Sequence, residues 1–226
     1  MEVFMTTNQA QRELLRKKRL EEKRRKNLTV IIITIGAILL ISLAAILPNL
    51  LKGRATLSGG EGFTLGNPDA PITVVNFSSF ACGWCENFAK TTEPNFIRDY
   101  VETGHVFYRY LTLAGQDEAS QNLAKAAYCA AEQNRFFEYK PDLYTAASVQ
   151  GGASINNLIR LADSAGLEID SFETCLLGDN GFQNALEQDR RFAQSVGVTG
   201  TPSFLVNDQL VSASELTALL DELLDK

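Results

Sequence analysis

The sequence predicts an α/β domain with a helical insertion between its second and third strands, preceded by one N-terminal transmembrane helix. Three observations carry that expectation. Residues 28–47 form one uninterrupted apolar run. Ile72–Phe77 and Val106–Leu113 are β-branched or aromatic runs of strand length, separated by a helical segment. Alanine- and leucine-rich stretches then fill the chain until Ser203–Val206 returns to strand character. With 226 residues, 45% apolar and 21% charged, the chain is long enough to bury a core of its own. That balance excludes intrinsic disorder and collagen-like repeats, and four cysteines are too few for a disulfide-dense mini-protein.

The apolar run, Leu28–Leu47 (LTVIIITIGAILLISLAAIL), carries no charge and ends at Pro48-Asn49. At ~1.5 Å per residue a helix of this length crosses a ~30 Å hydrocarbon core. The apolar stretch of a cleaved signal peptide is shorter, about 7–15 residues, and follows a short basic leader. Here the leader is residues 1–27, so an uncleaved anchor is the favoured reading. Nine of the 21 Lys and Arg precede the run, against Lys52 and Arg54 just after it. That asymmetry keeps the N-terminus in the cytoplasm and puts everything beyond the span outside it. Residues 1–27 then read as a basic cytoplasmic juxtamembrane segment, 28–47 as the anchor, 48–62 as a flexible linker and 63–226 as the extracytoplasmic domain. Of the net charge of −6, residues 48–226 hold 12 cations and 23 acids, a net −11. So acidic a domain does not suit a nucleic-acid partner.

Within the domain, the helical segment after the first strand runs from the cysteine pair to Gly104, and Pro94 should kink it. Val106–Leu113 is the second strand. The insertion, about 115–196, contains helical stretches from Glu118 to about Ala147 and from Ile155 to Val196, broken at Gly151-Gly152, Gly166 and Gly178–Gly181. Ser203–Val206 and Gln209–Val211 form a hairpin around Asn207-Asp208, and Ser212-Ala213-Ser214-Glu215 is a candidate capping box before a last helix, Glu215–Leu224.

Cys82-Gly83-Trp84-Cys85 lies between a strand and a helix. In the first turn of a helix the unpaired amides and the positive dipole end favour an anion, so this placement lowers a thiol below its ordinary ~8.5. Cys82, at the exposed start, is the expected attacking sulfur, and Cys85, one turn deeper, the expected resolving partner. A zinc site would call for about four ligands, and the chain offers one CxxC and a single histidine, His105. An inert structural disulfide is the other alternative. A second signal is Gly200-Thr201-Pro202-Ser203, directly before the third strand. A cis bond at Pro202 would bring the Thr201 backbone beside the cysteines and offer its N–H and C=O to an extended peptide.

Taken together, APITVVNFSSFACGWC, the helices that follow and VTGTPSFLVN resemble the DsbA-like branch of the thioredoxin superfamily, over roughly Phe63 to Leu224. The resemblance implies a thioredoxin fold with a helical insertion, thiol–disulfide exchange on exported proteins, no cofactor, and a cis Pro202 facing Cys82. It implies too that Thr201, Pro202 and Trp84 line the substrate groove. A membrane-embedded quinone-linked partner, similar to DsbB or to vitamin-K-epoxide reductase, would reoxidise the cysteines. Two departures stand out. Members often carry an acid where this chain has Asn76, an acid thought to relay the proton of the deeper cysteine, which leaves water or another group such as Glu86 for that task. The intervening dipeptide is Gly-Trp, not the Pro-His of strongly oxidising members. Similar chains often have two cysteines where this one has Cys129 and Cys175, which favours a structural disulfide between them in an oxidising compartment. A second redox pair or two free thiols are the alternatives.

His105 lies far in sequence from both motifs and reads as a surface residue. Phe77, Phe80, Phe88, Phe96 and Phe204 read as core. No phosphate loop, dinucleotide fingerprint or Ser/His/Asp set is present. The expected function is oxidation of exported protein thiols at Cys82–Cys85. A reductase or isomerase of the same fold is one alternative, and a non-catalytic peptide-binding subunit or chaperone is the other.

Overall fold

The computed structural model describes residues 63–178 and 181–225. The basic segment 1–27, the apolar run 28–47 and the linker 48–62 lie outside the described residues. Among the described residues no helix is long and apolar enough to cross a membrane.

Five strands, β1 (Thr64–Leu65), β2 (Ile72–Ser78), β3 (Val106–Thr112), β4 (Ser203–Val206) and β5 (Gln209–Ser212), form one sheet in the order β1-β3-β2-β4-β5. β2 and β3 run parallel, and the other neighbours are antiparallel. The two-residue strand β1 was not expected. It is too short to show periodicity, and its pairing with Tyr108 and Arg109 is what makes it a strand. With β1 counted, the insertion falls between the third and fourth strands, not the second and third.

Between β2 and β3, α1 (Gly83–Thr91) gives way to a short helix, α2 (Glu93–Phe96), and to one π-helical turn, Ile97–Val101. The expected kink is a break at Thr92: Pro94 has no N–H for the Lys90 carbonyl. The π turn shows in the Glu102 amide reaching back five residues to the Ile97 carbonyl, at 2.9 Å. The insertion holds α3 (Glu118–Glu132), α4 (Phe136–Ala147), α5 (Ile155–Ser164), α6 (Ile169–Leu177) and α7 (Phe182–Ser195). A single helical stretch over 118–147 was expected, and the structure divides it at Gln133–Arg135. Asn134 adopts a left-handed φ of 55°, which ends α3. The last helix, α8 (Leu216–Leu223), carries only half of the expected capping box. Glu215 accepts from the Ser212 amide at 2.9 Å, while the Ser212 hydroxyl turns to the same carboxylate and caps no amide.

The two-residue period of the strands sorts the core. Ile72, Val74, Tyr108, Phe204 and Val206 pack with Phe88, Phe96, Leu216 and Leu220 from α1, α2 and α8. Val75, Phe77, Leu111 and Leu205 face the other way, onto Ala193 of α7. A third cluster joins Phe63, Phe80, Cys85 and Tyr110 to the helices of the insertion. Both faces are therefore covered, as a parallel pair of strands requires. Cys129 of α3 and Cys175 of α6 form a disulfide closing a separation of 46 residues. Loop-closure entropy makes such a bond worth about 4 kcal/mol.

Candidate active site

The parallel strands put the end of β2 and the start of α1 at one edge of the sheet. The antiparallel return of β4 brings its entry loop to the same edge, because Phe77 pairs with Ser203. That register is why two segments more than 110 residues apart meet. Cys82 is the N-cap of α1 in extended conformation (φ −100°, ψ 113°), and its thiol donates to the Thr201 carbonyl at 3.2 Å. The Thr201–Pro202 bond is cis. Cys82 and Cys85 are both free thiols, the first partly exposed and the second fully buried.

Their surroundings drive the two sulfurs apart. Burial alone would raise the Cys82 thiol. Hydrogen bonds to its anion from the Thr201 side chain, from Cys85 and from the amides of Cys85 and Trp84 outweigh that and hold it below the ordinary thiol value. The Thr201 carbonyl accepts only from the protonated form, so it is the hydroxyl and the helix amides that receive the charge once the proton has gone. Cys85 is pushed up to about 11, by burial first, despite hydrogen bonds from Ser78, Thr201 and the Ser79 amide. Because the thiolate is the reacting form, the Cys82 profile moves to lower pH and the Cys85 profile to higher. Titration with a small alkylating agent is expected to modify Cys82 alone between the two. Reaction of both thiols together near pH 9, read by mass spectrometry, would contradict this electrostatic picture.

Trp84 stands 77% exposed beside Cys82, an indole face turned to solvent next to the accessible sulfur. Ala81, next to Cys82 in sequence, lines an open pocket of about 600 Å³. Its wall is apolar (Leu123, Ala146, Val149), and Asp117 and Glu118 also line it. Cys82, Cys85, Thr201 and Pro202 therefore sit together. Glu86 does not join them: its carboxylate pairs with Lys90 at 2.5 Å and accepts from Ser148 at 3.3 Å. Lys90 foremost keeps that carboxyl below its ordinary value. Asn76 is buried, with its side-chain N–H donating to the Tyr108 hydroxyl at 2.7 Å and its side-chain oxygen unpartnered. His105 lies at the start of β3 with Thr103. Among the described residues no cluster of His, Cys, Asp and Glu could hold a metal ion.

Sequence reasoning missed the groups behind Cys85. Ser78 and Tyr110 lie on the strands, and Tyr144 and Lys140 on α4, with Glu93 on α2. The lone signal for them was Asn76 and Ser78, polar residues two apart at the end of a largely apolar strand.

Comparison with known proteins agrees with this architecture. The thioredoxin family profile matches residues 58–226. An Na(+)/H(+) antiporter NhaA 3 of Salinispora tropica is 31% identical over 195 residues, which are 79% of this chain and 29% of that protein. The chain thus spans less than a third of that relative's length. Disulfide bond formation protein D of Bacillus subtilis is 23% identical over 172 residues, 71% of this chain and 73% of that protein. The crystal structure of oxidised BdbD from Bacillus subtilis superposes with a TM-score of 0.65 at 22% identity, over 74% of this chain and 95% of that one. The fold is thus the thioredoxin fold with the helical insertion of the DsbA and BdbD structures. With three quarters of its length matched by the family profile, the chain belongs to the thioredoxin family.

Proposed function

We propose that this chain is an extracytoplasmic thiol–disulfide oxidoreductase that introduces disulfides into exported proteins, tethered by residues 28–47 with its N-terminus in the cytoplasm. One observation carries the reading: the Cys82 thiol lies at a helix N-terminus, 3.2 Å from the Thr201 carbonyl of a cis-proline loop, with Cys85 buried behind it. In the oxidised protein a substrate thiolate attacks Cys82 and breaks the Cys82–Cys85 bond. Cys85 departs with the electron pair and takes a proton, which its high affinity for protons favours. A second substrate thiolate then attacks the substrate sulfur of the mixed disulfide. Cys82 leaves as a thiolate, and the substrate has lost two electrons to the protein dithiol.

The lowered Cys82 thiol supports the oxidising direction, since a more stable thiolate leaves faster and stabilises the reduced protein. Trp84 and the loop at Thr201–Pro202 supply a surface for an extended substrate segment. The names of Bacillus subtilis disulfide bond formation protein D and BdbD add to that reading. A membrane-embedded quinone-linked oxidase, similar to DsbB or to vitamin-K-epoxide reductase, is the proposed source of oxidising equivalents. No cofactor enters the exchange. The test is the redox equilibrium of Cys82–Cys85 against glutathione. A potential well above that of thioredoxin is expected, and one near −270 mV would make the chain a reductase instead.

A further inference from the structure

Behind the cysteines the domain buries polar side chains that a purely apolar core would do without. Asn76 and Ser78 on β2 and Tyr108 and Tyr110 on β3 follow the two-residue period of one sheet face. Lys140 and Tyr144, one turn apart on α4, and Glu93 of α2 complete the set, and all seven are buried. They form two separate hydrogen-bonded groups. In one, Asn76 donates to Tyr108, and Tyr108 donates to Glu93 at 2.6 Å, while Lys140 pairs with the other Glu93 oxygen. In the other, the Ser78 hydroxyl meets the Tyr144 hydroxyl at 3.1 Å, and Tyr144 meets Tyr110 at 2.9 Å. Either oxygen of each of these contacts can donate.

We infer that Ser78, Tyr144 and Tyr110 are positioning residues for Cys85: a three-hydroxyl chain whose polarity reverses when Cys85 ionises, so that it supports the anion during attack on a mixed disulfide at Cys82. This rests on the proposed exchange at Cys82–Cys85. Each hydroxyl holds one proton and two lone pairs. When Cys85 is an anion, Tyr110 donates to Tyr144, Tyr144 to Ser78, and Ser78 to the sulfur. When Cys85 is protonated, all three rotate the other way. No proton changes owner within the chain. In the resolving step the Cys85 sulfur gives its electron pair to a new bond with Cys82. The substrate sulfur leaves with the pair of the broken bond and ends with the proton Cys85 gave up, so the balance closes within the reacting thiols.

Cys85, Tyr110 and Tyr144 belong to one buried cluster, the Tyr144 hydroxyl meets that of Ser78, and Ser78 is among the groups that favour the Cys85 anion. The groups that act on this sulfur are Cys82 at the N-cap of its own helix, Ser78 at the end of β2 and the Ser79 amide just past it, Tyr110 from β3, Tyr144 from α4 and Thr201 from the cis-proline loop. Beyond them Glu93 and Lys140 offset each other's charge. Hydrogen-bonded chains of this kind polarise one another in a low-dielectric interior.

The test is alkylation of Cys85 by iodoacetamide against pH in the full chain carrying Cys82→Ala, which needs no redox activity. Tyr144→Phe and Ser78→Ala are each expected to cut the rate about tenfold at a fixed pH below the midpoint, and to move the midpoint upward. Tyr110→Phe, one link further away and unchanged in ring volume, has a smaller effect of the same sign, and Ser78→Thr restores the parent profile. Changed access alone would scale every rate without moving the midpoint. Superimposable profiles for Tyr144→Phe, Tyr110→Phe and the parent overturn the inference. With Cys82 present, glutathione release from a Cys82–glutathione adduct is expected to slow to the same extent in Tyr144→Phe. A moved midpoint with unslowed release upholds the hydroxyl chain and overturns the proposed exchange role.

Discussion

Cys82→Ser is expected to lower the rate at which this chain oxidises a reduced, unfolded protein by about 10³-fold or more, the scale on which loss of a nucleophile registers. The hydroxyl that replaces the thiol fits the N-cap of α1 and leaves the fold in place, yet forms no bond with sulfur. Cys85 cannot substitute for it, since that sulfur is fully buried and pushed up to about 11. Cys85→Ser should behave differently. Unable to form the Cys82–Cys85 bond, it takes up a mixed disulfide at Cys82 only by attacking a disulfide such as oxidised glutathione, and with no neighbouring thiol to displace it the adduct survives acid quenching and shows as added mass. If Cys82→Ser retained its cellular role, the exchange reading would fail, and a peptide-binding subunit or chaperone acting through the groove at Thr201–Pro202 would stand in its place.

Lys140→Met is expected to lower stability by about 3–5 kcal/mol, the penalty for leaving one member of a buried ion pair alone. Glu93 is 3% exposed and Lys140 5%, and each is the other's charged partner. Lys140 lies over the rings of Phe137 and Tyr110 at 5.2 and 5.4 Å. Burial pulls its ammonium down from the ordinary lysine value, while Glu93 opposes that pull. Without it, the buried Glu93 carboxylate keeps only the Tyr108 hydroxyl, and its charge stands uncompensated in the core. For a chain of this size the melting midpoint should fall by roughly 10–15 °C. Glu93→Gln with Lys140→Met should recover most of that loss, because neither charge then remains buried. Calorimetry decides it: a single variant as stable as the parent would mean that the pair holds nothing together.

The parts of the site that were legible are those whose chemistry is written within a few consecutive residues. Cys82-Gly83-Trp84-Cys85 sits on a strand–helix junction because a β-branched run ends and a helical spacing begins, and the loop at Thr201–Pro202 announces itself just before a strand. The division at Asn134 escaped notice, since a single asparagine taking left-handed φ leaves the helical spacing on either side untouched. β1 escaped notice because two residues become a strand only when β3 offers its edge. Nothing in the sequence around Glu93 or Lys140 marks either as buried. Their burial comes from α4 folding back over the sheet, 47 residues further along the chain.

By itself the sequence determined the order of the longer strands and helices around the site, the place of the Cys82–Cys85 pair at a strand–helix junction and the cation asymmetry around residues 28–47, because hydrophobic period, turn residues and local charge are properties of neighbours in the chain. Tertiary structure decided the rest. The pairing of β4 with β2 set Thr201 against Cys82, and the return of α4 chose Tyr144 and Lys140 to stand behind Cys85. Burial and hydrogen-bond partnership depend on which distant segments share a cavity, and it is these that push one thiol down and the other up.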